Sequence, residues 1–434
     1  MSQTSSALQS AAVPTVAGRV DQARASLRQA LSGTPGRLRI LAGATIAVCL
    51  IFAIGAFSAF QSADGALGRG RANVAQLVRI QAIHTNLIRA DADATNAFLV
   101  GGLEPPAQRA SYLASMAAAS TMIAQAATAQ PADGPALGAL NSSVLTYAGL
   151  IEQARATNRQ ALPVGAQYLR VASSGLRSDA LPILDALVTA NDARVRAEFD
   201  NAAGASAALV ASGVLALLVL IGAMVWLSRR THRYVNAPLA AATGAILVTL
   251  VLGAIALASI GSAVASVRDG TYAATLATAK ARIAAYDAKS NESLTLIAHG
   301  SGSAFQQAWV SSSHIVAAQS AAAARLSTDA AAMGGLWTKY VETHDQIRKA
   351  DDGGQWDSAV NQGIGSGPTS ANTTFNAFDA SSAAALTSSS QAASDALNTP
   401  HLWLLLAAWL ALIIGIAAAI SAWWGLSLRL EEYR

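Results

Sequence analysis

Four stretches of the chain, 38–60, 206–227, 238–260 and 401–426, are apolar and, past Arg39, free of Asp, Glu, Lys and Arg. At about 1.5 Å of rise per residue each is long enough to cross a hydrocarbon core about 30 Å thick. The last is the clearest. Trp403 and Trp409 lie toward one end of it and Trp423 and Trp424 at the other, near the interfacial positions that aromatic side chains favour. The pattern changes between these stretches. Ala-rich regions, 61–205 and 261–400, place apolar residues such as Ala75, Val78, Ile83, Leu87 and Ala94 at helical spacing. That periodicity predicts bundled amphipathic helices.

Breaks in the pattern divide the first polar region into four helices. Gly101-Gly102 closes the first and Glu104-Pro105-Pro106 opens the second. Glycine past a helix end and proline at a helix start are the expected punctuation. Pro131-Ala132-Asp133-Gly134-Pro135 and then Pro163 and Gly165 give the next breaks, with a kink expected at Pro182 as the fourth helix runs into the second span. The second region repeats the order: a helix to Ala298, one from Ser303 to Leu326, and a third ending at Asp351-Asp352-Gly353-Gly354. A turn over Gly363 to Pro368 then precedes the last helix. The predicted fold is an all-α membrane protein with four transmembrane helices and two tandem extracellular antiparallel four-helix bundles. In each bundle the first-to-second and third-to-fourth turns share the far tip.

The halves also match locally. Asp91-Ala92 with Phe98 and Val100 superposes on Asp287-Ala288 with Leu294 and Leu296 at one offset, and each stretch reaches a glycine turn. Such a period implies duplication. The two bundles of the one chain are expected to pack side by side.

Charge sets the orientation. Residues 1–39, the loop 228–237 and the tail 427–434 hold ten basic and three acidic residues; the first polar region balances at eleven of each, and the second has eight basic and eleven acidic. Basic residues at span ends favour the cytoplasm, so both termini and the loop are expected inside a plasma membrane and both large regions outside. The pI of 9.4 therefore reflects topology and not nucleic-acid binding. Within the N-terminal tail, 1–37, Val20, Ala23, Leu27 and Leu31 with Arg19, Arg24 and Arg28 form a basic amphipathic helix, suited to a membrane face or simply solvated.

With 53% hydrophobic and 12% charged residues, the composition excludes an average soluble protein. Cys49, the one cysteine, sits in an apolar run and reads as packing. His84, His232, His299, His314, His344 and His401 show no metal-ligand spacing, Gly300-Ser301-Gly302 is too short for a phosphate loop, and no serine has a nucleophile setting. No enzymatic activity, cofactor or metal is expected. Spans without internal charge argue against a transporter.

Two membrane helices flanking a four-helix outer bundle resemble the sensing part of bacterial chemoreceptors. Trp337-Thr338-Lys339-Tyr340 through Asp352-Gly353-Gly354-Gln355-Trp356 and Ala359 is similar to the third-helix pattern of that class. The doubled layout resembles more closely the actinobacterial GlnX-type four-span signalling family. That likeness lies in Ala90-Asp91-Ala92-Asp93, in Phe98 through Pro106, and in Tyr286 through Gly300. It implies that an extracellular amino-acid-binding lipoprotein is sensed and that a cytoplasmic serine/threonine protein kinase is the reader. The short cytoplasmic pieces agree that another protein must read the signal, being too small to fold as output domains.

Two residue sets are candidates. For partner docking at the tip they are Glu104, Arg109, Arg159, His299, Asp351, Asp352 and Trp356; an exposed Trp beside carboxylates suits an interface, or else caps its own bundle beside ordinary turn acids. For direct binding of a small amino acid between the bundles they are Arg79, Arg89, Arg170 and Arg177, which alternatively solvate a helix face or pair with Asp91, Asp93 or Asp179. A non-signalling envelope scaffold is the remaining class.

Overall fold

The computed structural model describes residues 33–100, 104–160, 162–231, 236–398 and 401–431. The N-terminal amphipathic helix, Gly101-Gly102, His232, Arg233, Pro400 and Arg434 fall outside them. Among the described residues every regular element is helical and there is no strand.

In chain order α1 is Gly33–Leu99, α2 Pro106–Ala129, α3 Gly134–Arg159, α4 Val164–Gly175 and α5 Leu181–Thr231. These are followed by α6 Ala237–Val267, α7 Ala273–Ile297, α8 Ser303–Leu326, α9 Met333–Asp352, α10 Trp356–Ile364, α11 Ala371–Ala396 and α12 His401–Glu431. Local chemistry accounts for the ends. Pro106 opens α2, where its missing N–H costs nothing. Ser370 caps α11 by accepting from the Thr373 N–H at 3.3 Å.

Pro182 also lacks an N–H. Just ahead of it the chain widens into a π turn, Leu176–Ala180, and the Leu181 N–H reaches back to Leu176 O. The disturbance expected at Pro182 thus takes the form of a shifted hydrogen-bond register. A second π turn, Arg268–Tyr272, joins α6 to α7. The short helix α10 is an addition to the sequence reading, which has no helix between Gly354 and Gly363.

The chain divides into two compact units. The first holds the described residues of 33–62, 205–258 and 402–431. It contains the apolar parts of α1, α5, α6 and α12, four helices long and apolar enough to cross a membrane. Small residues set their spacing. A Cβ on Gly415 of α12 would lie 2.5 Å from the Ala53 Cβ of α1, and one on Gly213 of α5 would lie 2.6 Å from Leu250 of α6. Phe57 meets Trp409 edge-on at 5.2 Å. Asn236 donates to Gly425 O at 2.7 Å and Ser421 to Pro238 O at 2.8 Å. The outward face of this unit (Ile54, Leu218, Leu252, Ile413, Ile420) is apolar and exposed, as lipid contact requires.

The second unit comprises 63–204 and 259–401, so the two polar regions form one body. Its apolar core is continuous. Ile80, Leu87, Leu140, Tyr147 and Leu184 of the first region join Trp309, Trp337, Tyr340 and Phe375 of the second. Polar contacts also cross between the regions: Arg71 donates to Asn398 at 2.8 Å, Tyr272 to Asp192 at 2.8 Å, and Asn96 to Asn372 at 3.3 Å.

Candidate functional site

The first candidate site forms at the end of the second unit where α1 and α3 stop and α2 and α4 begin. A cleft of about 260 Å³ is lined there by Phe98 and Pro106 and by a charged set of Glu104, Arg109, Glu152, Arg155 and Arg159. Arg155 organises the charges. Its Nε lies 3.0 Å from Glu104 Oε2 and its Nη1 donates to Glu152 Oε1 at 2.9 Å, while its guanidinium stacks 4.1 Å from the Tyr112 ring. Arg109 adds two bonds to Glu152, at 2.9 and 3.4 Å. Burial works to raise the Glu152 carboxyl, but Arg109 and Arg155 outweigh it and hold the group below its ordinary value. Burial also pushes the Tyr112 phenol up to about 12. Arg159 is exposed and has no ion-pair partner among the described residues. The cleft is thus a paired floor with one unspent guanidinium at its rim.

Glu104, Arg109 and Arg159 of the predicted tip set therefore share one cleft. The other four lie in the second region with partners of their own. Gly300 has φ +81°, and His299 itself is left-handed at φ +42°. A non-glycine residue held there is strained. The His299 ring stacks on Trp356 with centroids 4.4 Å apart, and Trp356 Nε1 donates to Leu296 O at 3.0 Å. Trp356 is half-buried against its own core. Arg348 holds Asp351 at 2.6 Å and also binds Asp352.

Deeper in the unit, Arg177 joins the two regions. Its Nη1 donates to Asp91 Oδ2 at 3.0 Å, its Nε and Nη2 to Asp287 Oδ1 at 3.1 and 2.9 Å, and Nη2 also to Ser290 Oγ at 3.1 Å. Asp91 is fully buried and accepts further from Ser290 and Ser173, each at 2.6 Å. Asp287 accepts from Ser312 at 2.7 Å and Asn291 at 3.1 Å. Burial opposes the charge on Arg177, but Asp91 and Asp287 outweigh it and raise the guanidinium above its ordinary value. The two aspartates are those that match in the internal repeat.

Arg79, Arg89 and Arg170 stand apart from this bridge. Arg79 donates to Gln76 at 2.6 Å, Arg89 lies 5.9 Å from the Tyr286 ring centroid, and Arg170 is exposed beside Ala166 O. No two of the four arginines share a partner among the described residues.

Residues 66–200 match the model of a family described as an actinobacterial sensor domain. The charged cleft lies wholly within the sensor-domain match, as do Asp91 and Arg177, whereas Asp287 and Ser290 lie beyond it. A sensor domain fits a signalling role. No curated protein and no solved structure matches the chain.

A third polar cluster is absent from the sequence reading. Glu292, fully buried in α7, pairs with Lys289 at 2.8 Å and His344 Nδ1 at 2.8 Å and accepts from Tyr340 at 3.1 Å. Burial would raise its carboxyl; Lys289 and His344 hold it down to about 2. The His344 ring stacks on Trp309 at 3.5 Å. The i, i+3 spacing of Lys289 and Glu292 was the one legible signal. Glu152 and Arg155 show the same spacing in the cleft.

Proposed function

We propose that the protein is a non-enzymatic transmembrane relay of the GlnX type, whose charged cleft docks an extracellular amino-acid-binding lipoprotein. In this reading the two polar regions face the exterior, because the basic residues gather in 1–39, 228–237 and 427–434. A cytoplasmic serine/threonine protein kinase reads the signal. The observation that carries the proposal is the cleft: within a sensor-domain match, Arg159 has no counter-charge among the described residues and stands beside a clamped, pre-ordered set of charges. A carboxylate from a partner's surface completes it, and rigid arginines with aromatic neighbours are common anchors of interfaces.

Photo-crosslinking from position 159 of the full chain in cells tests this, with position 145, exposed on the outer face of α3, as the control. An adduct with an amino-acid-binding lipoprotein is expected from 159, is lost on Arg109→Glu, and changes with amino-acid supply. An adduct indifferent to supply points to the scaffold role. No lipoprotein adduct at all removes the docking reading.

A further inference from the structure

A second cavity, of about 320 Å³, lies inside the second unit, between α1 and α5 of the first region and α7 and α8 of the second. Its walls are aliphatic: Ile88, Leu181, Val188, Ile283 and Ile315. The volume falls within the range of small-molecule sites, about 300–1,000 Å³. The polar lining decides what it accepts. Asp287 already takes Arg177, Asn291 and Ser312 and has no capacity to spare, and Ser312 has given its one O–H to Asp287.

Gln81 differs. The residue lines the cavity and is only 2% exposed, and its Oε1 has no hydrogen-bond partner among the described residues. A buried amide oxygen without a donor is costly, and few such atoms persist in folded proteins. Asp185 is a second unspent acceptor. Its carboxylate is mostly exposed and comes no nearer than 3.8 Å to a ring nitrogen of His84, beyond hydrogen-bond reach. His84 is itself buried, and burial lowers its pKa against the pull of Asp185 and Asp287, so at neutral pH the ring adds no positive charge. Lys280 is exposed at the rim, where its long stem leaves the ammonium free to turn to water.

Two residues lining an aliphatic wall, Gln81 and Asp185, thus each carry an acceptor oxygen with no hydrogen-bond donor among the described residues. We propose that this cavity binds a small organic ammonium compound with a compact branched aliphatic body, its N–H groups donating to Gln81 Oε1 and the Asp185 carboxylate. Free amines and aliphatic amino acids share that chemistry; with an amino acid, Lys280 holds the carboxylate. The proposal is independent of docking at the charged cleft. Because Asp287 both lines the cavity and grips Arg177, an occupant sits beside the bridge between the two regions.

Calorimetric titration of the full chain in detergent micelles tests it with three probes: isopentylamine, leucine and isovalerate. Isopentylamine or leucine is expected to bind and isovalerate, which has the body without the ammonium, is not. Gln81→Leu and Asp185→Asn should each weaken binding by roughly tenfold or more, the loss of a hydrogen bond to a charged group. Asp185 is at the surface, so its variant keeps the fold even where Gln81→Leu disturbs it. Arg159→Glu in the cleft should leave the titration unchanged. A tighter fit for leucine assigns the site to amino acids, and a tighter fit for isopentylamine assigns it to free amines. Absence of heat with both, equal binding of isovalerate, or binding indifferent to Asp185→Asn overturns the proposal.

Discussion

Replacing Arg177 by methionine keeps much of the aliphatic stem and removes the cation that bridges Asp91 and Asp287. Asp91 is fully buried, so its charge is left with hydroxyl donors alone, from Ser173, Ser290 and, at 3.4 Å, Tyr147. Removing one partner of a buried ion pair costs about 3–5 kcal/mol, chiefly because the survivor stays buried and unpaired. The second unit has about 285 residues, for which unfolding entropy near 2.1 cal/mol/K per residue gives roughly 0.6 kcal/mol per kelvin. Arg177→Met should therefore lower the midpoint of that unit by about 5–8 °C. The assay is tryptophan fluorescence on heating full-length protein in detergent, since Trp309, Trp337 and Trp356 all lie in the second unit. The reasoning makes a second demand. With Asp91→Asn and Asp287→Asn added, the carboxylates are gone and most of the loss should be recovered, to within about 2 kcal/mol of the parent. A midpoint shift below one degree for Arg177→Met, or a triple variant no more stable than the single one, defeats the account.

Other outcomes follow from particular contacts. Gly415→Val should destabilise the first unit by about 1–3 kcal/mol, because its Cβ meets Ala53 at 2.5 Å, whereas Gly222→Ala, with nothing within 4 Å, should be neutral or slightly stabilising; thermal scans of both variants check this. Burial pushes the Asp93 carboxyl up to about 6 against a hydrogen bond from Ser111, so its stabilising contribution is full below the ordinary carboxylate range and lost as pH rises through about 6. Asp93→Asn should accordingly add up to about 3 kcal/mol of stability at pH 7.5, seen as a higher midpoint, and leave the midpoint unchanged at pH 3.5. Glu292 has the opposite sign. Held at about 2, it contributes stability above its ordinary range that is lost as pH falls toward 2, so Glu292→Gln should weaken the protein at pH 7 and much less in strong acid. Midpoints measured across pH for both variants separate the two.

The helix breaks were legible because glycine and proline mark them chemically: Pro106, Pro131, Pro163 and Gly300 each fall where a helix begins or ends. The four spans were legible from length and charge alone. The inserted helix α10 was not, since Gly353-Gly354 and the Gly363–Pro368 stretch both read as turn and nine residues between them carry little periodicity. In the candidate sites, the helix breaks identified Glu104, Arg109 and Arg159 as residues of one tip, from two different turns, but not Arg155, whose role depends on α3 meeting Glu104 and Tyr112. The repeat singled out Asp91 and Asp287 without showing that one arginine holds both, a contact across regions that no local pattern encodes. Gln81 was invisible for a related reason: along α1 it is one polar residue among several, and nothing in the local pattern marks it as buried.

The bridge at Asp91 also bears on how the protein is made. Its Ser290 donor lies 199 residues further along the chain, an interval of about 10–40 s at 5–20 residues per second. Throughout that interval the newly made first region has a polar seam that nothing yet covers, and a third membrane helix must insert before the covering residues arrive. Biogenesis therefore has a waiting step, during which a chaperone, or a slow translocon, has its opportunity to act.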